Sequence, residues 1–404
     1  MAARGTGCAA VSTNTGPLAG IKVVDLSVMI SGPLAAMMLA DQGADVIKVE
    51  SPGIGDMMRF LGSQKGGITG IFALHNRGKR SIGLNLKSDK GREILRDLLK
   101  DADVVIQNFR PGALEKLGFG YDDVRKFNDR VVYVSISGFG PDGPRSGQRV
   151  YDNVIQAASG LASVQTDKAT GRPQVFRTLV CDKVTSYTVT QAVTAALFAR
   201  ERGRGGQHIE ISMLDSAIAF MWPDSAMDAA LLDDDVARTP TIGENYAALE
   251  LKDGFVTVSA VSQPEFEGYC AALGNPGLAT DPRFADAAAR SANTAELRVE
   301  IKKLTDAITV EQFLANAVTF DVPASGINTL QNVHEEPQVL HNGSFVVREH
   351  PKAGSIREAR NAPHFRGTPT TMPAPAPDRG EHSDEIVASL GLDAAALRAE
   401  GVIF

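Results

Sequence analysis

The chain has 404 residues, of which 43% are hydrophobic and 22% charged, and its formal net charge is −7. These proportions are typical of a globular protein, and the length exceeds what one hydrophobic core usually serves, so two domains are expected. The acidic balance argues against nucleic-acid binding, no apolar run reaches the ~18 residues of a membrane span, and the widely spaced Cys8, Cys181 and Cys270 predict neither a disulfide framework nor a metal site.

Residues 1–15 lack an apolar core of signal-peptide length and are predicted to be a disordered leader. Strand patterns follow at 20–26, 45–50, 81–86, 103–107 and 130–135. Helices are predicted at 33–42, ending at Gly43, and after residue 86, where Ile94, Leu95, Leu98 and Leu99 form an apolar stripe. Alternating strands and helices predict an α/β fold with an open, parallel, Rossmann-like sheet. The lack of a signal-peptide core and of a membrane span, together with the cysteine spacing, favours a cytoplasmic protein.

The pattern changes near Met227. A hairpin with an Asp253-Gly254 turn is predicted over 247–259, followed by helices at 265–273, 294–307 and 310–318. Beyond residue 322 the chain is rich in proline and glycine, and 383–400 reads as a terminal pair of helices. We therefore expect a large domain at 16–226, a small α+β domain at 227–325, and a segment at 326–404 that returns to the large domain.

The turn after the first strand lacks a dinucleotide-binding motif. That motif requires three glycines in G-x-G-x-x-G spacing between strand and helix, whereas residues 25–33 contain Gly32 alone. A nicotinamide or flavin oxidoreductase is therefore not expected.

Asp182 stands immediately before a long apolar-periodic segment. At this junction a carboxylate lies near the positive end of a helix, which keeps it ionised, and an ionised aspartate can attack an activated carbonyl. An ordinary helix cap is the alternative. Cys181 is a rival nucleophile, because thiols are activated at helix N-termini, although a small buried hydrophobe also fits.

Basic residues recur at strand ends and in loops of the first half of the chain. Such positions suit the phosphates of a nucleotide-like ligand, although each charge alone also fits a solvated surface. They are Lys79, Arg80, Lys87, Arg110, Lys116 and Arg149.

Several segments, in order along most of the chain, resemble the family III (CaiB/BaiF) CoA-transferases. The family also includes formyl-CoA transferase and the α-methylacyl-CoA racemases. The longest matching segments are LADQGADVIKVESP at 39–52, NRGKRSIGLNLK at 76–87 and NFRPGALEKLG at 108–118. Shorter ones lie at 24–27, 31–33, 135–140, 151–160, 203–207, 211–216 and 380–383.

The resemblance implies an enzyme that moves coenzyme A from an acyl-CoA to a free carboxylic acid, with Asp182 as the nucleophile. It implies no tightly bound cofactor, no metal, and an interlocked homodimer. Cys181 replaces the glycine that precedes this aspartate in the family. Phe109 could stack on adenine or lie in the core. The residues matched to positions around CoA are Met29, Leu84, Lys87, Asn108, Phe109, Lys116 and Arg149.

Two alternatives accompany the transferase. Racemases of this family carry a histidine where Tyr151 stands, and an unassisted tyrosine titrates near ~10, too high for a base at neutral pH. The other alternative is a non-catalytic acyl-CoA-binding homologue. Ile30 stands where some members have a polar side chain, which indicates a less polar acceptor site.

Overall fold

The computed structural model describes residues 15–239 and 241–404, so the predicted leader at 1–15 lies outside the described residues, apart from Thr15. The described strands are β1 Lys22–Asp25, β2 Asp45–Glu50, β3 Gln64–Lys65, β4 Ile68–Thr69, β5 Lys79–Gly83, β6 Val104–Gln107, β7 Val132–Ser137, β8 Gln207–Ser212, β9 Leu249–Leu251, β10 Gly254–Val258, β11 Ala324–Gly326, β12 Phe345–His350 and β13 Gly354–Ala359. The α-helices are α1 Ser31–Asp41, α2 Gly70–Asn76, α3 Asp89–Lys100, α4 Tyr121–Val124, α5 Asp152–Ala158, α6 Leu161–Val164, α7 Val180–Ala199, α8 Met213–Ser225, α9 Gln263–Ala272, α10 Ala287–Ala292, α11 Thr294–Thr305, α12 Val310–Thr319, α13 Pro337–His341, α14 Ser383–Ser389 and α15 Ala394–Ala399.

The main sheet has six parallel strands in the order β5-β2-β1-β6-β7-β8. The chain builds outward from β1 through β2 to β5, then crosses back and adds β6, β7 and β8 on the other side. The winding direction therefore reverses between β1 and β6. At such a reversal, open α/β sheets bind ligands beyond the carboxyl ends of the strands. The predicted α/β class and open parallel sheet are confirmed.

Helices cover both faces of this sheet. Successive strand residues point to opposite faces, so Val23 packs into one buried cluster and Val24 into the other. The first cluster contains residues of α1, α7 and α8, and the second contains residues of α3, α14 and α15. Burial on both faces explains why these strands read as continuous apolar runs.

Two local predictions were wrong. The strand predicted at 81–86 is Lys79–Gly83, because Leu84 leaves the parallel ladder and forms an antiparallel bridge with Ile403. In the hairpin, Gly254 pairs with Leu251, so the two-residue turn is 252–253 instead of 253–254. Asp253 is fixed in that turn because its Oδ1 accepts a hydrogen bond from Val310 N at 2.8 Å.

The chain divides into two compact units. The larger unit takes in the described residues up to Pro223 together with Gly343–Phe404, and the smaller unit is Asp224–Asn342. The expected boundary after residue 325 falls inside the smaller unit, where β11 pairs with β10. The smaller unit has its own buried core, which includes Phe266, Phe284 and Phe313.

Candidate active site

Buried ion pairs fix the start of the loop between β1 and α1. Lys79 Nζ donates to Asp25 Oδ2 at 2.8 Å, and Lys48 Nζ donates to Ser27 O at 2.9 Å and lies 3.0 Å from Asp56 Oδ2. These four charged side chains are buried, which is tolerable only because they are paired. Burial alone would raise the pKa of Asp25, but the two lysines bring it below its ordinary value. The loop therefore begins beside an ionised carboxylate that is held in place by two lysines.

Asn108 joins this loop to the neighbouring strand, at the point where the sheet reverses direction. Its Oδ1 accepts from Val28 N at 2.9 Å and its Nδ2 donates to Val28 O at 2.7 Å. The next residue, Met29, has φ of 69°, a left-handed conformation that disfavours side chains other than glycine. Met29 N donates to Asp56 Oδ1 at 3.2 Å. Asn108 and Asp56 thus hold a strained backbone at Met29.

The start of α1 packs tightly against the same loop. A Cβ added at Gly32 would lie 2.3 Å from Ser27 Cβ, so only glycine fits there. Ser31, the first residue of α1, is thereby held between the loop and α7.

Asp182 lies in the first turn of α7, which begins at Val180, and is not its cap. Leu179 occupies the cap position and makes no capping bond through its side chain. The cap comes from another helix, because Asp152 Oδ2 accepts from Asp182 N at 2.9 Å. Gln156 Nε2 in turn donates to Asp152 Oδ1 at 2.5 Å. The main chain of the nucleophile candidate is thus fixed by α5.

The Asp182 carboxylate is partly buried beside the start of α1. Its Oδ1 accepts a hydrogen bond from Ser31 Oγ. Burial raises the pKa of Asp182 to about 6; the Ser31 hydroxyl opposes the rise and the Asp152 charge adds to it. Burial therefore outweighs the hydrogen bonds that lower this pKa. The group is still about 90% ionised one unit above that pKa.

The Cys181 side chain lies in the hydrophobic core. It is fully buried in the cluster that α1, α7 and α8 form with the sheet, and burial raises the pKa of its thiol to about 12. A thiol in that state is not a nucleophile at neutral pH. The residue that replaces the family glycine is thus a buried hydrophobe.

The residues matched to CoA positions follow the carboxyl ends of four strands. Met29 follows β1, Leu84 and Lys87 follow β5, Asn108, Phe109 and Lys116 follow β6, and Arg149 follows β7. Because the strands are parallel, the segments that carry these residues leave the sheet at the same edge. Lys87, Lys116 and Arg149 are exposed. The Phe109 side chain is 37% exposed, whereas the Leu84 side chain is fully buried.

Two cations predicted to face a phosphate are engaged elsewhere. Lys79 is buried and donates to Asp25, Pro33 O and Asn76 Oδ1. Arg80 pairs with Asp45 and Glu385. Neither is available to a ligand in this arrangement.

The sequence did not indicate Ser31, Asp152 or Gln156 as partners of Asp182. Ser31 and Asp182 are 151 residues apart, and only the packing of α1 on α7 brings them together. The one local signal was Asp152, which stands at a helix start, as Asp182 does.

Comparison with known proteins shows the family to which this chain belongs. The model of "CoA-transferase family III" matches residues 18–383. A succinate–glutarate CoA-transferase of Agrobacterium fabrum is 34% identical over 93% of this chain and 96% of its own length. A formyl-CoA:oxalate CoA-transferase of Escherichia coli O157:H7 is 31% identical over 93% of this chain and 96% of its own length. The crystal structure of a CaiB/BaiF family protein from Brucella suis superposes with a TM-score of 0.82 at 32% identity, covering 93% of this chain and all of that one. The chain therefore belongs to CoA-transferase family III and is an enzyme that transfers CoA between an acyl-CoA thioester and a carboxylic acid.

Proposed function

We propose that Asp182 carries the acyl group and then CoA during this transfer. Asp182 Oδ2 attacks the thioester carbonyl of the donor acyl-CoA, the carbon–sulfur bond breaks, and a mixed anhydride and CoA thiolate form. The thiolate then attacks Cγ of Asp182, and the bond between Cγ and Oδ2 breaks. The donor acid leaves with Oδ2, and an aspartyl-CoA thioester remains.

The second half repeats these steps in reverse. An acceptor carboxylate oxygen attacks Cγ and releases the thiolate, which then attacks the carbonyl carbon of the acceptor. Asp182 leaves as a carboxylate and keeps one oxygen from the acceptor. The energy of the thioester is conserved throughout, so the reaction needs no ATP. Water must be kept from the anhydride, or transfer becomes hydrolysis.

One observation carries the proposal. Asp182 lies in the first turn of α7 beside the start of α1, which directly follows the loop after β1, so the carboxylate belongs to the sheet edge where ligands bind. Its raised pKa, about 6, describes a carboxylate that is poorly solvated yet mostly ionised at neutral pH. Such a group needs little desolvation before it attacks.

For CoA, we propose contacts along the same edge. Lys87, Lys116 and Arg149 are exposed cations suited to phosphates, and the partly exposed Phe109 ring is suited to adenine. Met29 and Asn108 would line the pantetheine path. Leu84 could contribute only through its main chain, because its side chain is buried.

For the acids, we propose short dicarboxylates. Succinate, glutarate and oxalate appear in the names of the two relatives compared above. Ile30 gives no support to a less polar acceptor site, because its side chain is 2% exposed and packs in a buried cluster with Met58 and Phe72.

An interlocked homodimer and a cytoplasmic location remain proposals. The dimer rests on family resemblance, and light scattering of the purified protein would measure it. The location rests on the absence of a signal-like segment and of paired cysteine motifs in the sequence. Within the described residues, no helix is both long and apolar enough to cross a bilayer.

Replacing the nucleophile tests the covalent role. Asp182→Asn should reduce CoA transfer by at least about a thousandfold, because the amide cannot form the anhydride. Succinyl-CoA, glutaryl-CoA and oxalyl-CoA would be paired with each free acid, and products followed by mass spectrometry. Hydroxylamine added during turnover should convert Asp182 to a hydroxamate, found by peptide mapping.

A matched control is Asp215→Asn, which changes an aspartate in the first turn of α8 and should keep native turnover. If Asp182→Asn transferred CoA at the native rate, the nucleophile assignment would be wrong.

Incubation in heavy water separates the racemase alternative from the transferase, since α-deuterium exchange is expected from a racemase and not from a transferase. Tyr151, at the racemase histidine position, is 65% exposed.

A further inference from the structure

The two oxygens of the Asp182 carboxylate are not equivalent. Ser31 Oγ donates to Oδ1, and the Ser31 side chain is nearly fully buried. Its other polar neighbour among the described residues is Met213 Sδ at 4.0 Å, a weak and distant acceptor. The carboxylate is therefore the main hydrogen-bond partner of this hydroxyl.

The two main chains are clamped together around this bond. Ser186 Oγ lies 2.8 Å from Ser31 O and 2.9 Å from Asp182 O. Gly32 allows the start of α1 to pack directly against Ser27. The hydroxyl is thus placed by packing before any substrate arrives, as an electrostatic catalyst requires.

We propose that the Ser31 hydroxyl is a catalytic group, which donates to the negative charge that forms on Asp182 Oδ1 whenever Cγ is attacked. This inference rests on the proposed function. When thiolate adds to Cγ of the anhydride, the electron pair of the carbonyl bond moves onto Oδ1. When the bond between Cγ and Oδ2 breaks, that pair returns and the donor carboxylate departs. The acceptor attack on the aspartyl thioester builds the same charge on Oδ1.

The Ser31 hydroxyl is expected to accelerate only the steps that place negative charge on Asp182 Oδ1. In the two attacks at Cγ, Oδ1 changes from a carbonyl oxygen to an oxyanion, so a bond from Ser31 strengthens in the transition state. In the first attack by Oδ2, the carboxylate loses charge and the same bond weakens. The predicted benefit therefore lies in forming and consuming the aspartyl-CoA thioester.

Rapid quenching of the half-reaction tests this role. With acyl-CoA alone, each subunit should release one donor acid in a burst, and Ser31→Ala should slow the burst about a hundredfold. Ser31→Thr keeps a hydroxyl and should recover most of the rate. Ser216→Ala removes a similarly buried hydroxyl that donates to Ser212 O, and should leave the burst at the native rate.

A second readout does not require turnover. Carbodiimide labels a carboxyl group in its protonated form, so the pH midpoint of labelling, mapped to Asp182, reports its pKa. The midpoint should lie near pH 6 in the native protein and higher in Ser31→Ala, because the lost hydrogen bond favours the charged form. Asp152, the charged group that faces Asp182 from α5, is unchanged in this variant.

The outcomes separate the two proposals. A slow burst together with a raised midpoint supports the role of Ser31. A native burst in Ser31→Ala, or a slow burst with an unmoved midpoint, overturns that role and leaves Asp182 in place. A native enzyme that gives neither burst nor hydroxylamine adduct with the whole acyl-CoA panel removes the proposed function, and the Ser31 role with it.

Discussion

The Asp182 carboxylate is balanced between opposing forces. Burial and the nearby Asp152 charge raise its pKa to about 6, while the Ser31 hydroxyl limits the rise. A fully solvated carboxylate would have to shed water before attack, and an unpaired buried one would be protonated and inert. The Asp182 carboxylate is between these extremes, because it is partly desolvated but still mostly ionised at neutral pH. This balance also implies that the protein loses stability at this residue.

The stability loss can be measured as a function of pH. The pKa of Asp182 is about 6 in the folded protein and 3.8 in the unfolded chain. Protonation of Asp182 therefore stabilises the fold fully below pH 3.8, and this stabilisation is lost as pH rises through 6. Asp182→Asn should therefore be more stable than the native protein at neutral pH, by about 1–3 kcal/mol. The gap should close by pH 4. Urea unfolding at several pH values measures it, and a variant less stable at every pH would contradict the balance described above.

At the scale of elements, the loop between β1 and α1 connects the central sheet to the candidate active site. Asp25, Lys48 and Lys79 fix its first half, and Asn108 fixes its middle to the adjacent strand. Met29 adopts φ of 69° there, at a cost of about 1–3 kcal/mol for a residue with a side chain. Because this loop is proposed to bind CoA, we expect the strain to be kept for the sake of the Met29 side chain.

Met29→Gly tests whether that strain serves binding. Glycine removes the strain but adds backbone entropy and loses side-chain packing, so the free energy of unfolding should stay within about 1 kcal/mol of native. The KM for acyl-CoA should rise several-fold. Asp321→Gly is the matched control, because Asp321 also has positive φ, 54°, but lies in the smaller unit. Equal KM values for all three proteins would show that Met29 does not contact CoA.

Local patterns predicted the elements well and the site contacts poorly. The strand at 45–50 has its predicted bounds, and Gly43 follows α1 with φ of 101°, because apolar alternation and glycine conformation are local properties. The burial of Lys79 was missed, since its partner Asp25 is 54 residues away. The bond from Ser31 to Asp182 was missed for the same reason. Tertiary packing alone fixes which oxygen of Asp182 is held.

At the scale of the whole molecule, the smaller unit has the properties of an independent domain. Its core is built from its own helices α9 and α12 with strands β9 and β10, and Phe313 is fully buried in it. The hairpin is closed locally and β11 completes the small sheet. The larger unit is discontinuous in sequence and resumes at Gly343.

The segment Asp224–Asn342, produced alone, should therefore fold. Far-ultraviolet circular dichroism should show helix content, and urea should unfold the segment in one cooperative transition. Phe313→Ala should remove about 3–5 kcal/mol and largely unfold the isolated segment. The exposed Phe320→Ala is the control and should change little, because that side chain is 45% exposed. A segment without a cooperative transition would contradict the independence of this core.

The fate of a carboxylate oxygen tests the central claim most directly. Enzyme in excess over acyl-CoA would react once with an acceptor acid labelled with heavy oxygen in its carboxylate. Covalent transfer through Asp182 predicts an unlabelled donor acid and one heavy oxygen in the peptide that contains Asp182. Labelled donor acid and an unlabelled peptide would show that the acceptor attacks the thioester directly, and would contradict the account.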